Sequence, residues 1–309
     1  MSPGAPILVT GSHRSGSTWV GRMLAAGGSV GYIREPFSVL HRPGLLDVPI
    51  DVWFPYVSAE NEGPYLAPVE DMLAFRYRTA AGVRAVRSGT DAAKLVVDLA
   101  RWQRYRLQRA RPLVKDPLAL FSSEWLAERF QARILVLIRH PAGFASSLQR
   151  YRWTHPFDHF LRQPLLMHDR LEPFRQQIEE FARTEHDTID QAILLWNLIH
   201  HTIRGYQERH PDWLFRRYED IGRRPPVAFE GLYRDLGLAF SPAARRAISE
   251  HSKESNPEEA RDARALKRDS AAAVRTWMTR LSREEIDRVR RGTQEIGRAF
   301  YTDADWEDD

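Results

Sequence analysis

Cysteine is missing from all 309 residues. Disulfides and thiolate metal sites are thereby excluded, and the expected location is intracellular, in the cytoplasm. Long apolar runs are missing too: nothing approaches the roughly 20 residues of a membrane span, and the opening Met1-Ser2-Pro3-Gly4-Ala5-Pro6 lacks the basic start of a secretory signal. Surplus charge of one sign is small. The 45 Lys plus Arg against 41 Asp plus Glu leave +4, too little to coat a nucleic acid but enough to favour anionic ligands. Lysine is scarce, with Lys94, Lys115, Lys253 and Lys267 the only ones, so arginine carries nearly all the positive charge. The histidines His41, His140, His155, His159 and His168 lack metal-ligand spacing, and no metal site is expected. No repeat or linker interrupts the chain, so a single domain over residues 1–309 is expected, ending in a solvated acidic tail over 303–309.

What the sequence does contain is strands alternating with helices. Pro6 to Gly11 carries the apolar run of a fully buried strand that stops at a glycine, and Ser17 to Ala26 then sets Trp19, Val20, Met23 and Leu24 on one helical face. Pro36 to Pro68 holds six prolines among aromatics, the pattern of an ordered, irregular excursion over the sheet edge that could receive an acceptor. Asp91 to Arg109 has a helical period, Arg111 to Lys115 and Arg133 to Ile138 read as strands, and Leu118 to Phe130 reads as a helix. Pro141 opens a further helix that runs to Tyr151. Helices near Arg170 to Arg183 and over Thr188 to Arg209 precede a short strand at Trp213 to Arg216 and a helix over Val227 to Leu236. This alternation predicts an α/β three-layer sandwich, with a central parallel sheet covered on both faces and ligands bound beyond the carboxyl ends of the strands.

Two segments at those ends carry chemistry. GSHRSGST, from Gly11 to Thr18, almost spells G-x-x-x-x-G-K-[ST], but Ser17 stands where the lysine belongs. Unpaired amides at a glycine turn and a helix N-terminus already make an anion site. Here Arg14 supplies the cation, while Ser15, Ser17 and Thr18 supply hydroxyls around Gly16. The second segment is RHPAGFASS, which puts Arg139 at a strand end and Ser147 eight residues on, about two helical turns away.

Together GSHRSGST and RHPAGFASS resemble the 5′-phosphosulfate loop and the 3′-phosphate motif of the sulfotransferase superfamily. Lys115-Asp116-Pro117, Tyr218-Glu219-Asp220-Ile221, Leu236-Gly237-Leu238 and the stretch Trp277 to Ile286 agree with it. The resemblance implies a P-loop nucleotide-kinase-like fold and transfer of SO₃ from 3′-phosphoadenosine 5′-phosphosulfate (PAPS) to a hydroxyl of a small-molecule or glycan acceptor, without a metal. It also implies that Ser12, His13, Arg14, Ser15, Gly16, Ser17 and Thr18 hold the donor's sulfate end, with Arg139 and Ser147 on its 3′-phosphate. Lys267, Arg268 and Arg275 fall where the family's basic loop closes over that phosphate, although the usual Arg-Lys-Gly signature is missing.

Sulfuryl transfer needs a base for the acceptor's proton and cations for the leaving phosphate. The phenol- and steroid-type members carry Lys-x-His, but Lys115 is followed here by Asp116 and Pro117. The carbohydrate- and tyrosyl-protein-type members use a glutamate after the first helix, and Tyr32-Ile33-Arg34-Glu35-Pro36-Phe37, with Glu35 nineteen residues after Gly16, resembles that segment. Glu35 is therefore the expected base, Arg14 and Lys115 the expected catalytic cations, and Pro36 is expected to hold Glu35 extended. A salt-bridged structural Glu35 beside Arg34 is the alternative for that residue, and His13 is the next candidate base. Two other functions compete: a nucleotide-dependent kinase, opposed by the missing lysine, and a non-catalytic nucleotide-binding module in which Glu35 would be dispensable.

Overall fold

The structure is a computed structural model that describes residues 4–253 and 269–307. Five strands, β1 (Ile7–Gly11), β2 (Val30–Arg34), β3 (Arg111–Lys115), β4 (Arg133–Ile138) and β5 (Leu214–Arg217), form one parallel sheet in the order β2-β3-β1-β4-β5. The register aligns Leu8 with Val114 and Ile134, and Arg34 with Lys115. All five strands therefore end on one edge, where Gly11, Arg34, Lys115, Ile138 and Arg217 lead into the loops.

The central strands β1 and β4 are mostly apolar because both faces are covered. Leu8, Ile134, Val136 and Ile138 point into one core, and Ile7, Val9, Leu135 and Leu137 into the other. The second core is closed by α1 (Ser17–Ala25), α12 (Pro225–Asp235) and α13 (Pro242–His251), through Trp19, Phe229, Tyr233 and Ile248 among others. The first is closed by α6 (Pro141–Tyr151), α10 (Thr188–Arg209) and α15 (Arg283–Gly297), with Phe144, Leu148, Trp196 and Val289 buried. This is the three-layer α/β sandwich that the alternation predicts.

Several local expectations are corrected. The segment after α1 forms a strand, β2, which the sequence reading leaves without structure, because Gly31 and Arg34 interrupt its apolar pattern. The irregular excursion ends at residue 62, since α2 (Gly63–Leu73) follows with Pro64 in its first turn and Pro68 inside it. Then come α3 (Thr79–Arg84) and α4 (Gly89–Leu107). The helix expected over Leu118 to Phe130 is a 3₁₀ turn, Pro117–Ala119, followed by α5 (Ser123–Phe130). The remaining helices are α7 (Asp158–Leu161), α8 (Pro164–Leu166), α9 (Arg175–Arg183), α11 (Tyr218–Arg223) and α14 (Ser270–Arg280).

The acidic end is not simply solvated. Asp303–Trp306 forms a 3₁₀ turn in which Asp305 pairs with Arg217 at 3.1 Å, and Trp306 lies 4.4 Å from the His140 ring. Among the described residues no helix is long and apolar enough to cross a membrane.

Candidate active site

The loop from β1 to α1 takes a path that only glycine permits at its two ends. Gly11 has φ 129°, and a Cβ there would meet the Leu137 carbonyl oxygen of β4 at 2.1 Å. Gly16 has φ 79°, and its Cβ would meet the Tyr218 ring at 2.5 Å. Gly16 is also the N-cap of α1, which has no side-chain cap and no acidic residue in its first turn. The helix thus presents its amides and the positive end of its dipole to the loop. The hydroxyls of Ser12 and Ser15 are buried without a hydrogen-bond partner among the described residues. An oxyanion seated in the loop would satisfy them, so the residues present fit a bound sulfate or phosphate group.

Arg14 does not stay within its own loop. Its Nε donates to Ser147 Oγ at 2.9 Å, and its guanidinium lies 4.2 Å over the Tyr151 ring. Arg139 in turn donates to the Arg14 carbonyl and stacks 5.1 Å from Tyr218. The two segments singled out in the sequence are therefore one hydrogen-bonded wall, although 133 residues separate Arg14 from Ser147.

Behind that wall lies an arrangement that the sequence reading missed. The peptide between Arg139 and His140 is held at both ends: Trp196 Nε1 donates to the Arg139 carbonyl at 2.9 Å, and the His140 N–H donates to Glu219 Oε1 at 3.0 Å. The second oxygen of Glu219 accepts from the Tyr301 hydroxyl at 2.9 Å. Burial pushes the Glu219 carboxyl up from its ordinary value. Trp196 reads in sequence as one more core residue of an apolar helix stripe, and nothing local in Glu219 or Tyr301 signals the pairing.

The facing wall is made at the ends of β3 and β2. Lys115 is fully buried and its Nζ pairs with Glu35 Oε1, while Arg34 Nε lies 3.5 Å from Glu35 Oε2. Burial lowers the Lys115 pKa, and Glu35 opposes that shift. Glu35 is not extended as expected. Its φ is 48°, because the chain reverses out of β2 while the Glu35 N–H still donates to the Lys115 carbonyl at 2.8 Å, and this overrides the preference imposed by Pro36. Asp116 acts as a cap, accepting from Leu118 N–H at 2.9 Å and Phe37 N–H at 2.6 Å, and burial raises its carboxyl to about 7.

The cleft between the walls has a volume of about 1000 Å³, and Arg14, Gly16, Ser17, Thr18, Arg139 and Ser147 line one side of it with Glu35 on the other. His13 lines it too, packed on Phe54, Phe144 and Trp153. Burial, then Arg14, lowers its pKa to about 3, so its ring is neutral. Arg275 sits half-buried on α14, of which Ala273 rather than Arg275 reaches the cleft. Lys267 and Arg268 lie outside the described residues.

Similar architectures occur among solved structures. A sulfotransferase domain from the curacin biosynthetic pathway is 17% identical over 97% of this chain and 98% of its own, with a TM-score of 0.50. A sulfotransferase domain of the Synechococcus PCC 7002 olefin synthase is 19% identical over 98% and 96%, with a TM-score of 0.48. Mouse sulfotransferase SULT7A1, solved in complex with PAP, is 12% identical over 97% and 86%, with a TM-score of 0.47. No curated protein matches the chain. The model of the sulfotransferase family matches residues 6–242, which takes in both walls of the cleft as far as Tyr218. By that match the chain belongs to the sulfotransferase family and is an enzyme of that kind.

Proposed function

We propose that this sulfotransferase moves a sulfuryl group from PAPS to the hydroxyl of a small-molecule or glycan acceptor, with Glu35 as the general base. The observation that carries the reading is the joining of Arg14, Arg139 and Ser147 into one wall of the cleft that Glu35, paired with the buried Lys115, also lines. Arg14, the loop amides and the hydroxyls of Ser12, Ser15, Ser17 and Thr18 hold the phosphosulfate. Arg139 and Ser147 hold the 3′-phosphate.

In the transfer, the acceptor oxygen forms a bond to sulfur as the bond from sulfur to the 5′-phosphate oxygen breaks. The proton goes to Glu35, and the leaving phosphate charge is met by Arg14 and Lys115. Lys115 is suited to this because it touches the base and is buried, where a charge acts strongly. Activity in the cytoplasm, a single domain and independence from metal belong to the same reading.

Calorimetry with 3′-phosphoadenosine 5′-phosphate (PAP), 5′-AMP and ATP with Mg²⁺ tests it, together with transfer of labelled sulfate from PAPS in EDTA. Tight PAP binding, weak 5′-AMP binding and turnover in EDTA are expected. Preference for ATP with Mg²⁺ would favour a kinase, and PAP binding without any sulfated product would favour a binding module.

A further inference from the structure

The cleft extends beyond the residues proposed to hold the donor. The proposed donor contacts follow β1 and β4, whereas Arg34 ends β2, two strand spacings from β1, or about 10 Å. Beyond Arg34 the cleft continues along Arg42, after β2, and along Asp98 and Arg101 of α4. Asp98 has a side chain only 5% exposed, and both arginines pair with it, Arg101 at 3.6 Å, while each keeps 48% of its own side chain exposed. One buried carboxylate thus aligns two guanidinium groups and neutralises only one of them. Over the whole chain basic and acidic residues nearly balance, at 45 to 41. Among the described residues lining the cleft, Arg14, Arg22, Arg34, Arg42, Arg101 and Arg139 face only Glu35 and Asp98.

We infer that Arg42 and Arg101 form an anion subsite for the acceptor, so that the substrate carries a carboxylate, sulfate or phosphate besides the hydroxyl it presents to Glu35. The inference rests on the donor reading, which assigns the opposite wall to the nucleotide. Guanidinium forks suit such a group because they offer paired N–H donors to two anionic oxygens. Held by Asp98, they are oriented before the substrate arrives, and less side-chain freedom is lost on binding.

The test uses PAP-saturated protein and matched pairs: 4-hydroxybenzoate with 4-hydroxybenzamide, glucuronate with glucose, and glucose 6-phosphate with glucose. Calorimetry should show at least one acid binding roughly tenfold tighter than its neutral partner. That preference should vanish in the triple variant Arg42→Gln/Asp98→Asn/Arg101→Gln, which leaves no buried carboxylate unpaired, while PAP binds within about twofold of wild type. Should the triple variant fail to fold, Arg101→Gln alone should reduce the preference at least threefold. No preference in any pair, or one that survives the substitutions, overturns the subsite. Failure of PAP to bind would instead overturn the donor reading, and the same titrations without nucleotide would still judge Arg42 and Arg101.

Discussion

Along the β4 side of the cleft Arg14 donates to the Ser147 hydroxyl and Arg139 to a backbone carbonyl, whereas along the β2 side cations and carboxylates hold one another. The first arrangement is partly buried, with Ser147 closed off from solvent, and is backed by the clamped peptide at Arg139–His140. The second is half-exposed, with Arg34, Arg42 and Arg101 reaching solvent. A wall of the first kind suits a ligand of fixed shape and charge, since its donors are set in advance. A wall of the second kind can exchange partners, because an incoming anion or hydroxyl competes with an ion pair that water already weakens.

The largest effect that separates the walls is expected at Glu35. Glu35→Gln keeps shape and hydrogen bonding but cannot take a proton, so kcat should fall by about 10²–10⁴ with PAP affinity nearly unchanged. The buried Lys115 loses its charged partner in this variant, so a thermal melt must accompany the kinetics. Turnover above about a tenth of wild type would make Glu35 a structural ion-pair partner only. His13 would then be the remaining candidate, and a poor one: a ring with a pKa near 3 is too weak a base for work at neutral pH.

The β4 wall was the more legible of the two, for a physical reason. The geometry of a strand–loop–helix junction is local, so Gly11, Arg14 and Gly16 show it within a few residues, and Arg139 at the end of β4 with Ser147 on α6 repeats the pattern. Glu35 could be placed by its distance from Gly16, but not its backbone, because the reversal out of β2 and the bond to the Lys115 carbonyl come from the neighbouring strand. The clamp is less legible still. Its hydrogen bonds span 57, 79 and 82 residues, and no periodicity encodes such a pairing. The same holds for Arg42 and Asp98, 56 residues apart. The three-layer fold, by contrast, follows from apolar runs that most segments show alone, β2 being the strand whose pattern is interrupted.

The walls should also answer to different solution conditions. His13, which lines the cleft, and His140, behind the β4 wall, are held neutral by burial down to about 3. In the unfolded chain each takes a proton near 6.5. Their contribution to stability is therefore complete above pH 6.5 and is lost as the pH falls from there towards 3. Asp116, raised to about 7, acts the other way: its burial cost appears as pH rises from about 4 to 7. Between pH 6.5 and 5 each neutral histidine should cost about 1.7 kcal/mol of stability. Denaturant titrations of wild type and His13→Gln at the two pH values should show the variant losing about that much less. An equal loss in both would mean that His13 is protonated in the folded protein. Salt, in contrast, should weaken anion binding at Arg42 and Arg101.

At Arg139 the comparison can be sharpened by removing a single cation. Arg139→Ala should weaken PAP binding by about 1.5–3 kcal/mol, roughly tenfold to a hundredfold, while 5′-AMP binding changes far less. Calorimetry that finds PAP bound equally well by variant and wild type would detach the 3′-phosphate from this wall.

The smallest effect, and the most specific to the clamp, is expected at Tyr301, which lies beyond residue 242 where the family match ends. Its hydroxyl gives Glu219 one of the two hydrogen bonds that the buried carboxylate receives from Tyr301 and the His140 N–H. Without it, burial raises the Glu219 carboxyl further, and a protonated Glu219 is a weaker acceptor for the peptide that carries Arg139. Tyr301→Phe should therefore weaken PAP binding by about 0.5–1.5 kcal/mol, roughly twofold to tenfold. The decisive measurement is the ratio of PAP to 5′-AMP affinity. If Tyr301 positions Arg139, the ratio falls because only the 3′-phosphate contact is disturbed, and the loss grows as pH is lowered towards the Glu219 titration. If Tyr301 merely packs the C-terminal segment, the melting temperature drops and both affinities change together, leaving the ratio where it was. Trp196→Phe, which frees the other end of the same peptide, should lower the ratio as well.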